Sequence, residues 1–473
     1  MADLMQILTT NPLARQLGVP QPTRLRRGRE LPSGPVVLAA VGGAQGHGGV
    51  VADSLGLLGL TPQEALVDTP GTRVTETDED GRTREVPTPY PGKIGAVVVD
   101  ATAATGLDDL ETMRGVLRPA LKALESSGRV IVVGLEPESA GAVTAVATQQ
   151  ALDGITRTVG KELRKGATAN LVRVDLLTDR PTTAADLAST LSFLLEGRSA
   201  YVSGDVLHVG HAAASAAPET RPFEGQIVVV TGAGRGIGAS IAETFARDGA
   251  LVVGIDVPAG GEALSTVVNR IGGQALQLDI TAPDAGTRIA AHVAQRFGAS
   301  ARIHTIVHNA GITRDKLLVN TDEQRWASVL EVNLASQLRI NEQLLDPDLP
   351  GGLDDNGRIV GVSSVTGLAG NRGQANYAAA KAGMIGVARA MGADPRLAER
   401  GITVNVVAPG VIATEMWGKV PLVTRTLGER MNSLQQAGRP VDVAEAIGYL
   451  ADPASGAVTG QVVRVDGQLM LGA

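Results

Sequence analysis

The sequence predicts an α/β fold built from two parallel-sheet domains, and three observations carry that prediction. Short apolar runs alternate with stretches of helical periodicity, the pattern of strands covered by helices on both faces. The length of 473 residues exceeds the roughly 250–300 residues at which a single core stops growing. The third observation is an internal repeat, in which glycine turns, apolar runs and helical segments recur in the same order.

In the first half, strands are expected at 35–40, 95–100, 129–134 and 168–174, with helices over 142–163 and 184–196. The stretch 70–89 is polar and turn-rich where the second half has strand and helix. Residues 211–223, alanine-rich with two prolines, read as a linker. Beyond it, strands are expected at 226–231, 250–256, 275–279, 303–308, 357–362, 402–407 and 461–465. Helical periodicity is clearest at 237–248, 323–346, 374–391 and 441–451. The expected domains are therefore 1–210 and 224–473.

The halves superpose in order: Val41–Gly48 on Thr231–Gly238, Asp100–Thr102 on Asn309–Gly311, Gly154 on Gly386, and Val202–Gly204 on Val458–Gly460. The offset grows from 190 to 209, 232 and 256, so the second copy carries three extra blocks. The last falls at roughly 411–440, after Pro409 and Gly410, where segments leaving strand ends shape the ligand crevice of an open α/β sheet. It reads as a substrate wall or lid, with an ordinary surface excursion as the alternative.

Charge and composition exclude several classes. The formal net charge is −7 and no basic stripe tracks a phosphate backbone, so a nucleic-acid partner is not expected. Arg24, Arg26, Arg27 and Arg29 cluster near the start and read as a solvated run, with a local anchor, a contact to a small anionic patch or a nucleic-acid site as alternatives. The absence of cysteine removes disulfides and thiolate metal sites, and no metal site is expected. Without a secretory pattern at Met1 or an apolar stretch of bilayer length, a cytoplasmic protein is expected.

Gly232, Gly234, Gly236 and Gly238, with Arg235 and Ile237 between them, lie at an expected strand-to-helix turn. Glycine there lets a phosphate approach the backbone, and the exposed amides of the following helix favour a pyrophosphate. Asp256 ends the next apolar run and is placed to accept a hydrogen bond from an adenosine ribose 2′-hydroxyl while repelling a 2′-phosphate. The pattern favours NAD(H) over NADP(H), although Arg235 is a cation that a 2′-phosphate could recruit. Asp279, with Ile280 beside it, is read as an adenine contact or a helix cap. Tyr377 and Lys381 stand one helical turn apart, so an ammonium beside the phenol is expected to favour phenolate and bring tyrosine into range as an acid–base group. Ser364 follows an apolar run and can donate to a carbonyl oxygen that gains charge.

Thr231-Gly-x-x-x-Gly-x-Gly238, Asn309-Ala-Gly311, Asn333, Ser364, Tyr377-x-x-x-Lys381 and Pro409-Gly410 together resemble the short-chain dehydrogenase/reductase family. Ala310–Asp315, Gly373–Tyr377 and Gly401–Gly410 resemble its 3-oxoacyl-acyl-carrier-protein reductases in particular. The whole chain, including Leu13–Pro22, resembles the high-molecular-weight form of mycobacteria and their relatives. That resemblance implies a Rossmann-fold ketoreductase domain behind a degenerate flavodoxin-like domain.

The resemblance also implies roles. Tyr377 would protonate the substrate carbonyl, while Lys381 would bind the nicotinamide ribose and lower the Tyr377 pKa. Ser364 rather than Ser363 would polarise the carbonyl, and Asn333 would hold a water that relays protons. Asn309, Ala310 and Gly311 would support the adenosine side. Pro409, Gly410, Ile412 and Thr414 would line the nicotinamide end. The implied reaction reduces a 3-oxoacyl thioester of acyl carrier protein or coenzyme A, in a homodimer. In the first half, Ala145 falls on Tyr377, Gln149 on Lys381 and Val132 on Ser364, predicting an inert copy. The alternatives are another alcohol or hydroxysteroid dehydrogenase with the same machinery, and a first domain that acts as an interaction module.

Overall fold

A computed structural model describes residues 22–43, 49–77, 80–212, 218–414, 428 and 430–469. The first half runs β1 (Val36–Ala40), α1 (Val50–Leu57), β2 (Gln63–Glu64), β3 (Arg73–Thr77), β4 (Thr83–Pro87), β5 (Ile94–Asp100), α2 (Leu107–Ala123), β6 (Leu124–Leu135), α3 (Val143–Glu162), β7 (Thr168–Val174), α4 (Ala184–Leu195) and β8 (Val206–Val209). The second runs β9 (Ile227–Thr231), α5 (Gly236–Arg247), β10 (Leu251–Asp256), α6 (Gly261–Ile271), β11 (Gln274–Gln277), α7 (Ala285–Phe297), β12 (Ile303–His308), α8 (Glu323–Leu330) and α9 (Ser336–Leu344). It continues with β13 (Leu353–Val362), α10 (Val365–Ala369), α11 (Ala375–Gly392), α12 (Pro395–Glu399), β14 (Thr403–Pro409), α13 (Pro440–Ala451) and β15 (Val462–Val465).

Two parallel sheets result. The first has the order β2-β1-β5-β6-β7-β8, and the second β11-β10-β9-β12-β13-β14-β15. Removing β11 makes the two orders equivalent. The first is the 2-1-3-4-5 order of flavodoxin-like sheets with one added strand, and the second is the 3-2-1-4-5-6 order of dinucleotide-binding sheets with one added strand. The central strands are buried throughout, as the run Ile94–Asp100 and the run Thr403–Pro409 illustrate. Sheets covered on both faces need such continuous apolar strands.

Hydrogen bonds fix the repeat more closely than sequence did. Asn170 donates to the Val202 carbonyl and accepts from the Asp205 amide. Asn405 does the same with Val458 and Gln461. Buried Arg129 and Arg358 each turn back onto carbonyls just before themselves, next to Ser127 and Asn356 in the left-handed region at φ 56° and 58°. These pairs bear out Val202–Gly204 on Val458–Gly460. They also correct one registration. Because Val132 pairs with Leu171 and Gly361 with Val406, the Asn170–Asn405 match places Leu135, not Val132, opposite Ser364. Leucine, like valine, lacks a hydroxyl.

Three further differences have physical reasons. The polar stretch 70–89 forms an exposed antiparallel hairpin, β3 with β4, because alternating threonine, valine and charged residues suit a two-stranded ribbon facing water. The helix expected over 323–346 is split by a π-turn at Glu331–Ala335, which carries Asn333. Arg24 is exposed, but the other three arginines of the run are anchors: Arg26 pairs with Glu125, Arg27 grips Asp442 at 2.7 and 2.9 Å, and Arg29 meets Asp248 at 2.8 Å. The last two bonds join the beginning of the chain to the second sheet's helices. Near the expected linker, Phe223 is fully buried and packs edge-on to Phe245, within a hydrophobic cluster that takes in residues of both halves.

The two halves share one seam. Phe193 of α4 stacks on Tyr449 of α13 with ring centroids 4.3 Å apart, and Thr190 shares a 2.8 Å hydrogen bond with the Tyr449 hydroxyl. The edge strands β8 and β15 meet there, with Arg464 donating to Asp205 and to the Gly204 carbonyl. No described helix is long and apolar enough to cross a membrane.

Candidate active site

The glycine turn leaves β9 and enters α5. Gly232 and Gly236 adopt φ of 67° and 58°, which side chains rarely tolerate. A Cβ on Gly238 would lie 2.0 Å from the Gly232 carbonyl oxygen, so the turn closes only without one. Thr231 and Asn309 lock it from behind. The Asn309 amide donates to the carbonyls of Thr231 and Gly232 at 3.0 and 3.1 Å, and the backbone amides of Asn309 and Ala310 donate to the Thr231 hydroxyl. Above Gly236, the nearest heavy atom to a built Cβ is Thr414 Cγ2 at 4.0 Å, so the α5 N-terminus faces the Ile412–Thr414 segment across a crevice.

Asp256 ends β10 beside this turn. It accepts from the Gly234 amide at 3.0 Å and the Val257 amide at 2.9 Å, which orients the carboxylate and leaves lone pairs for another donor. A glycine cradle, a helix N-terminus and a carboxylate at the neighbouring strand end fit the adenosine diphosphate portion of a nicotinamide cofactor. Arg235 is exposed on the rim. Asp279 is exposed and accepts from the Thr281 amide and hydroxyl, the cap-like arrangement, while Ile280 is buried. Among the described residues no cluster could hold a metal ion.

On the other side of the crevice, α11 carries Tyr377 and Lys381. Lys381 is almost wholly buried, with Nζ 5.6 Å from the centre of the Tyr377 ring and 2.7 Å from the Val362 carbonyl it donates to. Burial pulls its pKa down to about 8. The phenol departs from expectation. Burial pushes Tyr377 up from its ordinary value, the Ser364 hydroxyl beside it pulls it down, and Asp315 pushes it up again. The Lys381 ammonium makes its hydrogen bond to the Val362 carbonyl and not to the phenol.

Ser364 caps α10, accepting from the Thr366 amide at 3.1 Å. Ser363 is buried and donates to the Lys381 carbonyl at 2.7 Å, which fixes the base of α11 and leaves Ser364 as the hydroxyl near the phenol. Asn333, fully buried in the π-turn, accepts from the Ile312 amide at 2.8 Å and donates to its carbonyl at 2.9 Å. π-turns inside helices are frequent at functional sites. A Cβ on Gly311 would lie 3.1 Å from Asn333 Oδ1 and 3.5 Å from Lys381 Nζ, so these three residues converge. Pro409 closes β14, the Gly410 amide donates to Val465, and Thr414 follows at the crevice edge.

Sequence reasoning assigned no role to Asp315, Gln374 or Asn376, yet they build the Tyr377 surround. Gln374 donates to Asp315 at 2.9 Å, and Asn376 donates to the Arg314 and Arg325 carbonyls while its own oxygen receives the Tyr377 amide. Their spacing shows no periodic signal; only the fold brings 314–325 against 374–377. Met416, Leu422 and Leu427 of the expected substrate wall, and Gly46 and Gly48, lie outside the described residues. The extra block itself is visible in its ends, since Pro409 and Pro440 are separated by a segment far longer than that between Val174 and Ala184.

In the first half, Gln149 takes the position of Lys381. It donates to the Ala101 and Ala104 carbonyls at 2.8 Å and accepts from the Leu135 amide at 2.9 Å, joining strand ends where the second half holds an ammonium. Ala145 is buried on the same helix.

A family profile described as enoyl-(acyl carrier protein) reductase matches residues 232–468. The chain is similar to the 3-oxoacyl-(acyl-carrier-protein) reductase FabG of Vibrio cholerae, 38% identical over 249 residues that cover 53% of this chain and 99% of that protein. The Escherichia coli protein of the same name is 39% identical over 257 residues, with the same two coverages. The Thermotoga maritima protein of that name is 39% identical over 254 residues. By the glycine turn, the Ser364–Tyr377–Lys381 group and this match, the chain belongs to the short-chain dehydrogenase/reductase family of oxidoreductases.

Proposed function

We propose that the protein reduces 3-oxoacyl thioesters to 3-hydroxyacyl thioesters in fatty acid metabolism, with NADH preferred over NADPH. Acyl carrier protein or coenzyme A would be the thioester handle. The observation that carries the reading is the convergence of Ser364, Tyr377 and Lys381 opposite a glycine turn flanked by Asp256. Relatives that span the second half are named for the 3-oxoacyl-(acyl-carrier-protein) reaction, which supports the substrate class.

The bound nicotinamide would supply hydride to the substrate's 3-carbonyl carbon. Tyr377 holds the proton for the carbonyl oxygen, and its raised pKa keeps the phenol protonated at neutral pH. Ser364 donates to the same oxygen. Lys381 lies where ribose hydroxyls would reach it, and Asn333 holds the Ile312 strand exit beside it. Gly232, Gly234, Gly236 and Gly238, with Arg235 and Ile237, receive the pyrophosphate. Asp256 takes the ribose and Asn309–Gly311 the adenosine side, with Asp279 and Ile280 beside the adenine. Pro409, Gly410, Ile412 and Thr414 receive the carboxamide end. Residues 1–210 form a non-catalytic flavodoxin-like unit, 211–223 a linker and 224–473 the ketoreductase unit. The working form is a cytoplasmic homodimer, following the resemblance of the whole chain.

The test is consumption of NADH and NADPH with acetoacetyl-coenzyme A and with a 3-oxoacyl-acyl-carrier-protein. Turnover with NADH at least about tenfold above NADPH in kcat/KM is expected from the repulsion between Asp256 and a 2′-phosphate, a ratio that corresponds to about 1.4 kcal/mol. Turnover confined to NADPH would remove the cofactor preference, and turnover of neither thioester would remove the substrate class.

A further inference from the structure

One aromatic side chain of the first half reaches the nicotinamide end of the second. Tyr201 is fully buried, and its ring lies between two glycines of the ketoreductase half. A Cβ on Gly438 would lie 2.5 Å from the ring edge, and one on Gly467 2.8 Å from the opposite edge. Gly467 also holds φ of 65° and donates its amide to the Tyr201 carbonyl at 2.9 Å. The hydroxyl donates to the Gln436 carbonyl at 2.7 Å and accepts from the Asn432 side chain at 3.0 Å. Every polar group of Tyr201 that reaches across the seam is therefore matched.

Gly438 connects this contact to the crevice. Its amide donates to the Val411 carbonyl at 3.0 Å and its carbonyl accepts from the Ala413 amide at 2.8 Å, so residues 411–413 lie on it as a short parallel bridge. Thr414, which faces the glycine turn, is the next residue. A second hold comes from Gln468, whose amide donates to the Arg157 carbonyl at 2.6 Å in a groove floored by Gly160 and Gly204. Residues 432–433 then pack on 467–469 through the Ser433 amide and an antiparallel bridge between Asn432 and Leu469.

We propose that Tyr201 is a positioning residue: through Gly438 it sets the Val411–Thr414 backbone at the nicotinamide end of the site, so the inert half tunes the active one. This rests on the reading above that 412–414 receive the nicotinamide. It assigns residues 1–210 a part in function that their lack of a Tyr377 or Lys381 counterpart conceals.

The full-length Tyr201→Phe protein removes only the hydroxyl bonds, and Tyr201→Leu also removes the ring. Binding of NADH and of ADP-ribose, which lacks the nicotinamide, is measured by calorimetry alongside kcat/KM with acetoacetyl-coenzyme A. Expected is a roughly three- to tenfold weaker affinity for NADH in Tyr201→Phe, the scale of one or two lost hydrogen bonds, and a larger loss in Tyr201→Leu. ADP-ribose affinity should stay unchanged in both. Equal weakening of the two ligands, or no weakening of NADH, overturns the proposal; if Tyr201→Leu does not fold, the Phe comparison decides. Thr414→Val separates the levels. If it weakens NADH alone while the Tyr201 variants do not, the positioning role fails and the site reading survives. If it changes neither ligand, the reading of 412–414 fails and the proposal falls with it.

Discussion

Tyr377 and Lys381 are perturbed by the same cause in opposite directions. Burial favours the neutral form of each, raising the phenol and lowering the ammonium to about 8. For Tyr377 this suits a proton donor, because the acid form persists across the neutral range. Tyr377→Phe should lower kcat by about 10²- to 10⁴-fold with NADH affinity nearly unchanged, measured by steady-state rates and calorimetry. For Lys381 the shift is a stability statement. The unfolded lysine, with its ordinary pKa of 10.5, keeps its proton where the folded one has lost it, so stability of the free protein rises with pH between about 8 and 10.5. Below 8 the full cost is present, on the order of 3 kcal/mol. Lys381→Met should therefore raise the melting temperature of the free protein at pH 7 by about 2–6 °C while abolishing turnover. A lower melting temperature would mean that the bond to Val362 outweighs the burial cost. The expectation that lysine lowers the tyrosine pKa rests on their i,i+4 spacing and on the family resemblance, and spacing cannot say which carbonyl an ammonium finds.

At the scale of elements, the glycine turn shows how directly sequence can specify a site. Gly238→Ala puts a methyl 2.0 Å from the Gly232 carbonyl, a contact that only backbone movement relieves. The β9–α5 turn should open, and ADP-ribose binding should fall by at least about 100-fold, since a misplaced turn forfeits several charge-assisted bonds at once. Circular dichroism should remain that of an α/β protein; binding within threefold of the parent protein would contradict the argument. Strands were legible because buried parallel strands read as unbroken apolar runs, and helices because their periodicity differs. Two features were less legible. The hairpin β3–β4 faces water on most positions, so no burial pattern marked it. The π-turn at Asn333 keeps helical periodicity on either side, so a single inserted residue is invisible until the backbone is drawn. The repeat registration failed by three residues at Val132 because the halves differ in loop length between β6 and α3 relative to β13 and α11, and helix glycines cannot report that difference.

At the scale of the molecule, the seam between the halves is where charge and burial meet. Arg464 donates from its backbone amide to Asp205 at 2.8 Å and lies beside Asp466, and both carboxylates are buried. One arginine thus faces two acids, one from each half. Burial is the largest influence on both acids and raises both; Arg464 opposes it, and Asp205 adds to the rise of Asp466, which reaches about 6. A carboxylate whose folded pKa exceeds its unfolded value contributes stability that is complete below the unfolded pKa and lost as pH rises through the folded one. For Asp466 the loss runs from about 4 to 6, leaving a buried charge above that window. Asp466→Asn removes this charge and keeps an oxygen to accept from the Gln468 amide, the bond that Asp466 now makes at 2.8 Å. In the full chain the variant should melt a few degrees higher than the parent at pH 7.5 and nearly level with it at pH 4, because only the first condition ionises Asp466. Thermal unfolding followed at both pH values tests this. A variant that melts lower at pH 7.5 would show that the Arg464 pairing outweighs desolvation at Asp466. The same melt bears on how the halves cooperate: Asp466 lies against Gly410 as well as the seam, so a single unfolding step that shifts as a whole would place the end of β14 and the domain contact in one cooperative unit.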